Sequence, residues 1–425
     1  MIFGFVLPHY MIADAPVRYA NVQALLDRGE LVAGPYSLVG PLFAIPLILI
    51  DRALRSEWTV TGLYNSILFG LGLAVLFVLL RGRMAPSILR QFLLVLIVGS
   101  MFSAHVVNWN SEVFTAVALA VGLTTFAVRR WVAAGWPAVV LAVVNTPAAA
   151  VGLALAIGRR MVEDRRLRYG LALLAAAALI AAENWVRNGG PLRSGYEDNH
   201  GFATVMPYAG EPGFSYPFLF GLLSVCLSFG KGLLFFTPGL LLPIRRATNQ
   251  TMLSDGHSLF RLYLWWIMVV VGLIVVYSPW WAWYGGLTWG PRFMLFASVP
   301  AALAIAVRLN DLVVPLWLRL FTFAVAAMST WVGICGAVFV DAANLPVCSL
   351  NDYQYESLCH YTPDYSVLWY PFVRGISLSP VSSLVVGYFL FAFGWLVWPL
   401  CRSIAGDIGP AMRRVVPGLT NGWRW

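Results

Sequence analysis

Residues Pro279–Pro300 read PWWAWYGGLTWGPRFMLFASVP, an aromatic approach that runs straight into a hydrophobic segment. It carries four tryptophans, a Gly-Gly pair and a Gly-Pro-Arg. Trp and Tyr concentrate at a membrane–water interface, because an apolar ring with one polar edge is best placed half in water. Glycines admit close approach of backbone or ligand, and Arg292 sets a permanent cation beside the lipid surface. Two readings fit: an aromatic belt with a snorkelling arginine, or an interfacial pocket for something anionic and lipid-linked. Both place the chain in a membrane.

Composition agrees. Of 425 residues, 60% are hydrophobic and 11% charged, and the mean hydropathy is +0.76, which excludes a soluble globular protein. Apolar runs of about 17 to 22 residues recur, the length a helix needs to cross the hydrocarbon core. Spans are expected at 2–13, 59–80, 91–107, 112–128, 133–145, 147–158, 169–186, 231–244, 262–279, 291–307, 318–340 and 382–401. The pieces 133–145 and 147–158 are too short to cross alone; with Asn145-Thr146-Pro147 at the tip they read as a buried helical hairpin. Stretches 36–50 and 216–229 are assigned to outer-surface or re-entrant helices. The expected fold is all-α and polytopic, with about 11–12 transmembrane helices plus outer juxtamembrane helices. No internal repeat or low-complexity tract divides residues 1–425, so one transmembrane domain is expected. The first 13 residues lack a cationic n-region and an A-x-A site, so no cleaved signal is expected, and they are short for a full span.

Charge orients these spans. The formal net charge is +9, but the basic residues form short clusters between apolar runs and no aromatic-interleaved patch, so nucleic acid is not an expected partner. With a cytoplasmic N-terminus, 19 of the 28 Lys and Arg residues fall in inner loops, whereas 14 of the 19 acids fall outside. Letting 36–50 span would move Arg81, Arg83, Arg129 and Arg130 outward, which the positive-inside rule disfavours. The outer face then holds the long polar loops 14–57, 187–216, 280–290 and 341–381, where function is expected. Both termini are placed in the cytoplasm of a bacterial inner membrane.

Candidate residues lie beside the outer ends of spans. Asp14 follows the first apolar run, with Arg18 one turn on, so its carboxylate would be ionised and orientable; a plain helix cap is the competing reading. His105 and Glu112 sit in the tight turn HVVNWNSEVF, as a packed core histidine and a helix-start acid or as members of a substrate pocket. Lys231, the one lysine of the chain, stands in Gly-Lys-Gly, where it would grip a phosphate or snorkel. A P-loop is excluded, since Val225 and Gly232 break its pattern. Cys348 and Cys359 share one polar loop and would pair if that loop faces an oxidising compartment.

Three segments resemble polytopic glycosyltransferases of the GT-C superfamily, the protein mannosyltransferase-like enzymes that use polyprenyl-phosphate sugars. These are the acid after the first helix followed by VRYANVQALLDRGELVAGPYSLVGPLFAIPL, then ENWVRNGGPLRSGY leading to LSFGKGLLFFTPGLLL, and WYGGLTWGPRFM. Their order along the chain is more specific than any one of them. The resemblance implies Asp14 as the general base for an acceptor hydroxyl, and Lys231 and Arg292 as holders of the donor phosphate. It further implies Arg18, His105, Glu112, Tyr196, Trp281, Trp283 and Trp289 around the substrate, with aromatic faces for sugar or prenyl chain. Two departures stand out: the first loop has a single Asp where the family has an acidic pair, and Lys231 replaces the commoner Arg. The implied activity is inverting transfer of a sugar from a polyprenyl-phosphate donor to a lipid, polysaccharide or protein acceptor of the cell envelope. No cofactor is assigned; a divalent metal is left open. A lipid-linked sugar flippase or secondary transporter is the rival, disfavoured because ionisable residues cluster at span ends and no repeat is visible.

Overall fold

Leu, Val, Ala and Phe run uninterrupted by charge over most of this chain, and in a medium without water such stretches satisfy their backbone only as helices. The computed structural model describes residues 2–165, 167–197, 204–250, 259–340 and 345–415, and among these there is no strand. In chain order the main helices are α1 (Ala15–Arg28), α2 (Ile45–Leu54), α3 (Tyr64–Leu80), α4 (Pro86–Val98), α5 (Ser111–Ala127) and α6 (Val132–Asn145). There follow α7 (Ala149–Asp164), α8 (Leu171–Asn188), α9 (Phe218–Leu227), α10 (Leu259–Tyr277), α11 (Ser298–Asn310), α12 (Leu316–Val338) and α13 (Pro380–Val415). Counting the 3-10 turns that lead into some of them, six described helices are long and apolar enough to cross a membrane: Thr61–Leu80, Leu167–Asn188, Leu259–Tyr277, Arg292–Asn310, Leu316–Val338 and Pro380–Asp407. Helices α4, α5, α6 and α9 are apolar but shorter. This is a helical membrane protein.

Burial sorts the helices. The Arg292–Asn310 segment is 89% buried and forms the centre, whereas Leu167–Asn188 is only 17% buried. Leu174 on α8 and Leu384 and Phe391 on α13 are largely exposed, as side chains that face lipid should be. Helices α7 and α10 cross at Gly152 and Gly272, where a Cβ on Gly272 would lie 2.1 Å from the Gly152 nitrogen. Only small residues permit so close a crossing.

Three expected spans are corrected. Over 2–13 only Phe3–Val6 is helical; Leu7 is extended, because Pro8 disfavours a helical residue before it and brings no N–H. The chain then continues against 107–109, with Tyr10 N–H donating to Val107 O (2.9 Å) and Trp109 N–H to Tyr10 O (3.2 Å). The span expected at 91–107 ends at Val98 and resumes as the single turn Phe102–His105. The one expected at 231–244 breaks into Leu233–Phe236 and the 3-10 turn Pro238–Leu241, as Pro238 cannot continue the ladder. Stretch 36–50 forms the short helices Val39–Leu42 and the first part of α2, neither of them a span.

The four long loops meet at one end of the bundle. Arg187 donates to Val32 O (2.9 Å) and Tyr36 O, while Glu183 accepts from Ser37 Oγ (2.8 Å) and Leu38 N–H (2.7 Å), tying α8 to loop 14–57. Trp281 N–H reaches Gly213 O (3.1 Å), and the Trp283 ring meets His360 (6.1 Å), which joins the remaining loops to them. Arginines hold the other end: Arg308 pairs with Asp311 (2.9 Å), Arg319 with Asp407, and Arg130 donates to Val78 O (3.1 Å).

Candidate functional site

Asp14 is placed by the unwound segment that replaces the first span. Ala13, just before it, has φ 57°, a left-handed conformation that costs a β-carbon-bearing residue free energy and turns the chain sharply into α1. Asp14 is the N-cap residue of α1 but makes no side-chain cap bond; its carboxylate points elsewhere. Arg18 Nε donates to Asp14 Oδ2 (2.9 Å), and Arg18 Nη1 to Ser37 O (3.1 Å). Arg292 Nη1 donates to Asp14 Oδ1 across 278 residues of sequence. Glu112, in the first turn of α5, stands 3.7 Å from the same Arg292 nitrogen. A second carboxylate therefore does reach the site, from another element than the first loop.

All of these groups are mostly shielded from water, with Asp14 7% and Arg292 11% exposed at the side chain. Burial alone would push the Asp14 carboxyl up; Arg292 and Arg18 outweigh it and hold the group well below the usual carboxylate range. Arg292 Nε is buried with no hydrogen-bond partner among the described residues. A buried donor left unmade costs about 1–3 kcal/mol, so this one is a ready site for an acceptor oxygen.

Arg292 is aimed by the loop before it. Gly285, Gly286 and Gly290 take φ of 73°, 73° and 59°, which only glycine adopts freely. The carbonyls so exposed turn inward onto Lys231, whose Nζ donates to Gly286 O (3.1 Å), Gly290 O (3.0 Å) and Thr288 O. An ammonium has three protons, and all three are used. Lys231, expected to hold the donor phosphate, spends its donors on these three carbonyls and clamps the glycine loop. Behind it, a Cβ on Gly230 would lie 1.9 Å from Cys359 O, and Cys359 is bonded to Cys348. The bonded loop thus backs the Lys231 turn, and Ser366 Oγ adds a bond to Phe229 O (2.7 Å).

The other expected pocket residues divide. Arg18 lies over the Tyr36 ring (4.8 Å), Tyr36 meets Tyr196 edge-on (6.4 Å), and Tyr196 meets Trp280 (5.6 Å). These rings form a partly exposed aromatic wall beside Asp14 and Arg18. Trp281, Trp283 and Trp289 are instead buried, at 9%, 3% and 2% exposure, so the expectation of open faces for sugar or prenyl chain is corrected for them. Trp283 packs on His360 and Tyr361, and Trp289 between His105 and Phe236. His105 is fully interior: Asn110 Nδ2 lies 2.9 Å from its Nδ1, and Asn65 knits the same turn through Asn108 O and Asn110 O. It is a packed core histidine. Burial also lowers the pKa of His360, despite Glu356 at 3.7 Å.

Sequence reasoning missed Tyr36 and Trp280. Tyr36 stands in GPYS and Trp280 beside three other tryptophans, so neither is marked out until the loops are brought together. Among the described residues no group of three or more His, Cys, Asp or Glu side chains could hold a metal ion. Comparison with family models, with curated proteins and with solved structures found no match.

Proposed function

We propose that this protein is an inverting membrane glycosyltransferase of GT-C type, moving a sugar from a polyprenyl-phosphate donor to an acceptor hydroxyl. In this reading the loop-bearing end faces outward from a bacterial inner membrane, and the arginine-rich end faces the cytoplasm. The observation that carries it is the Asp14–Arg292 pair: a carboxylate and a guanidinium, far apart in sequence, joined beside an aromatic wall at the loop-bearing end. The site differs from the expected set of Asp14 as base with Lys231 and Arg292 on the donor phosphate, because Asp14 is in direct contact with Arg292 and Lys231 is engaged elsewhere.

That contact supplies an activation step. Arg292 offers Nε to a donor phosphate and exchanges Asp14 for a phosphate oxygen, with Arg18 remaining on Asp14. Once one guanidinium leaves, the carboxylate regains proton affinity. It then accepts the proton of the acceptor hydroxyl as that oxygen bonds the anomeric carbon. The bond from anomeric carbon to phosphate oxygen breaks, and polyprenyl phosphate departs with the electron pair, neutralised by Arg292. Glu112, 3.7 Å from Arg292 Nη1 before the exchange, is the second carboxylate beside that guanidinium.

The test incubates purified protein with radiolabelled polyprenyl-phosphate sugars and membrane acceptors. Asp14→Asn should abolish transfer and retain donor binding, and Arg292→Ala should lose donor affinity. Transfer at the normal rate by Asp14→Asn would remove that residue from the mechanism. Movement of intact lipid-linked sugar across the membrane, with no new glycosidic bond, would establish a transporter instead.

A further inference from the structure

Two arginines hold Asp14, and Arg18 is the better anchored of them. Its Nη1 also donates to Ser37 O (3.1 Å), and its guanidinium lies over the Tyr36 ring (4.8 Å). Arg292 has, besides Asp14, Glu112 at 3.7 Å and the Phe293 ring at 5.0 Å, and its Nε is unpartnered among the described residues. What holds Arg18 thus lies in residues 36 and 37, within a stretch, 29–38, that forms neither helix nor strand. Such a loop keeps one shape only if its backbone groups are bonded from elsewhere.

The bonds come from the end of α8. Arg187, 3% exposed at the side chain, donates to Val32 O (2.9 Å) and Tyr36 O, and Glu183 accepts from Ser37 Oγ (2.8 Å) and Leu38 N–H (2.7 Å). Arg187 Nη1 also donates to Glu183 Oε1 (3.1 Å), so the two side chains brace each other one turn apart. Asn188 Oδ1 accepts from Gly34 N–H (2.9 Å). Residues 32, 34, 36, 37 and 38 are therefore all tied to one helix end. Gly195, at φ 79°, closes the other side, where a Cβ would lie 2.6 Å from the Gly34 carbonyl carbon. The chain of contact runs from Arg187 and Glu183 to Tyr36 and Ser37, then to Arg18, then to Asp14.

We infer that Glu183 and Arg187 are positioning residues that fix Arg18 on Asp14 through Tyr36 and Ser37, and so make Arg292 the guanidinium that exchanges onto the donor phosphate. The exchange rests on the glycosyl-transfer reading; the coupling of Arg187 to Asp14 does not. The groups facing Asp14 are Arg18 and Arg292 in contact, then Glu112 beyond Arg292 and the phenols of Tyr36, Tyr196 and Tyr277. Loosening Arg18 removes one of the two cations in contact, so the carboxyl takes up its proton at higher pH. Its folded-state pKa lies below the unfolded value, so its stabilisation is lost as pH falls through the folded value, and raising that value moves the loss to higher pH.

Acid unfolding of the full chain in detergent micelles, followed by tryptophan fluorescence, reads the coupling without substrate. Arg187→Gln should unfold at higher pH than wild type, and this displacement should largely vanish when Asp14 is already replaced by Asn. Glu183→Ala, which takes two acceptors from the same loop, should behave alike and serves if Arg187→Gln does not fold. An equal displacement in both backgrounds would make the pair merely structural. In transfer assays both variants should lose about tenfold in kcat with the donor KM unchanged, because Arg292 is untouched while the base is misaimed. The acid limb of the pH–rate profile should move up by about one unit. Arg187→Lys, which keeps a donor, should recover part of kcat. A raised donor KM with the acid limb unmoved would overturn the inference. Failure of wild type to transfer any sugar would sink the glycosyl-transfer reading, and the acid-unfolding comparison would still decide the coupling.

Discussion

Asp14 and Lys231 are both buried ionisable groups at the loop-bearing end, yet their partners differ in kind. Asp14 is held by the side chains of Arg18 and Arg292; Lys231 is held by backbone carbonyls of the glycine loop. Lys231→Met should therefore take the donor from Thr288 O and one of two donors from Gly286 O and Gly290 O, which keep the N–H of Thr288 and Arg292, and destabilise the protein by about 1–3 kcal/mol, read as a lowered apparent Tm. The same variant would show unchanged stability and weakened donor binding if the lysine instead served the phosphate. For Asp14 the sign follows from its lowered folded-state pKa: its pairing contributes fully above the ordinary carboxylate value of 3.8 and is lost as pH falls below it. Acid unfolding should thus begin at higher pH in Arg292→Lys, which weakens the clamp, than in the wild type. Arg292 and Asp14 were legible in the sequence because a charge beside an apolar run is costly and rarely idle. Lys231 was legible as unusual but not in role, since its acceptors are carbonyls of residues 286, 288 and 290 and carbonyls leave no signature in residue identity.

At the scale of elements, the glycine loop depends on the bonded loop behind it. The Cys348–Cys359 bond closes a segment of sequence separation 11, and Gly230 seats against the carbonyl of Cys359 with no room for a side chain. Closing a loop of this size contributes about 2–3 kcal/mol by restricting the unfolded chain. Reduction should lower the apparent Tm and also weaken donor binding, because loosening Gly230 loosens Lys231 and the aim of Arg292. Gly230→Ala should reproduce both effects with the disulfide intact, and normal donor binding in that variant would break the proposed chain of support. The helices themselves were readable from apolar runs, and the hairpin tip at Asn145-Thr146-Pro147 falls where α6 ends and α7 is about to start. The breaks at Pro8 and Pro238 were not read from the sequence. Both prolines sit inside windows hydrophobic enough to pass as spans, and hydropathy is blind to a missing N–H.

Across the whole molecule, the partition of loops was the most legible feature, and for a physical reason. Arginine near a translocating segment resists crossing, so composition records which loops share a side even where spans are misjudged. Loops 14–57, 187–216, 280–290 and 341–381, grouped by charge and length, are the ones that hydrogen-bond to one another or meet through their rings at one end. What charge cannot encode is where the arginines gather: Arg292 and Arg18 beside carboxylates at one end, Arg129, Arg160 and Arg168 around a cavity at the other. That polarity gives a direct test of orientation. With the free cysteines Cys226, Cys335 and Cys401 replaced by alanine, single cysteines are introduced at the exposed positions Glu211 and Arg165. A membrane-impermeant maleimide should label Glu211→Cys in intact cells and Arg165→Cys only after permeabilisation. The reverse pattern would put Asp14 and Arg292 in the cytoplasm, where a donor presented on the outer leaflet could not reach them. The proposed glycosyl transfer would then fail on access alone.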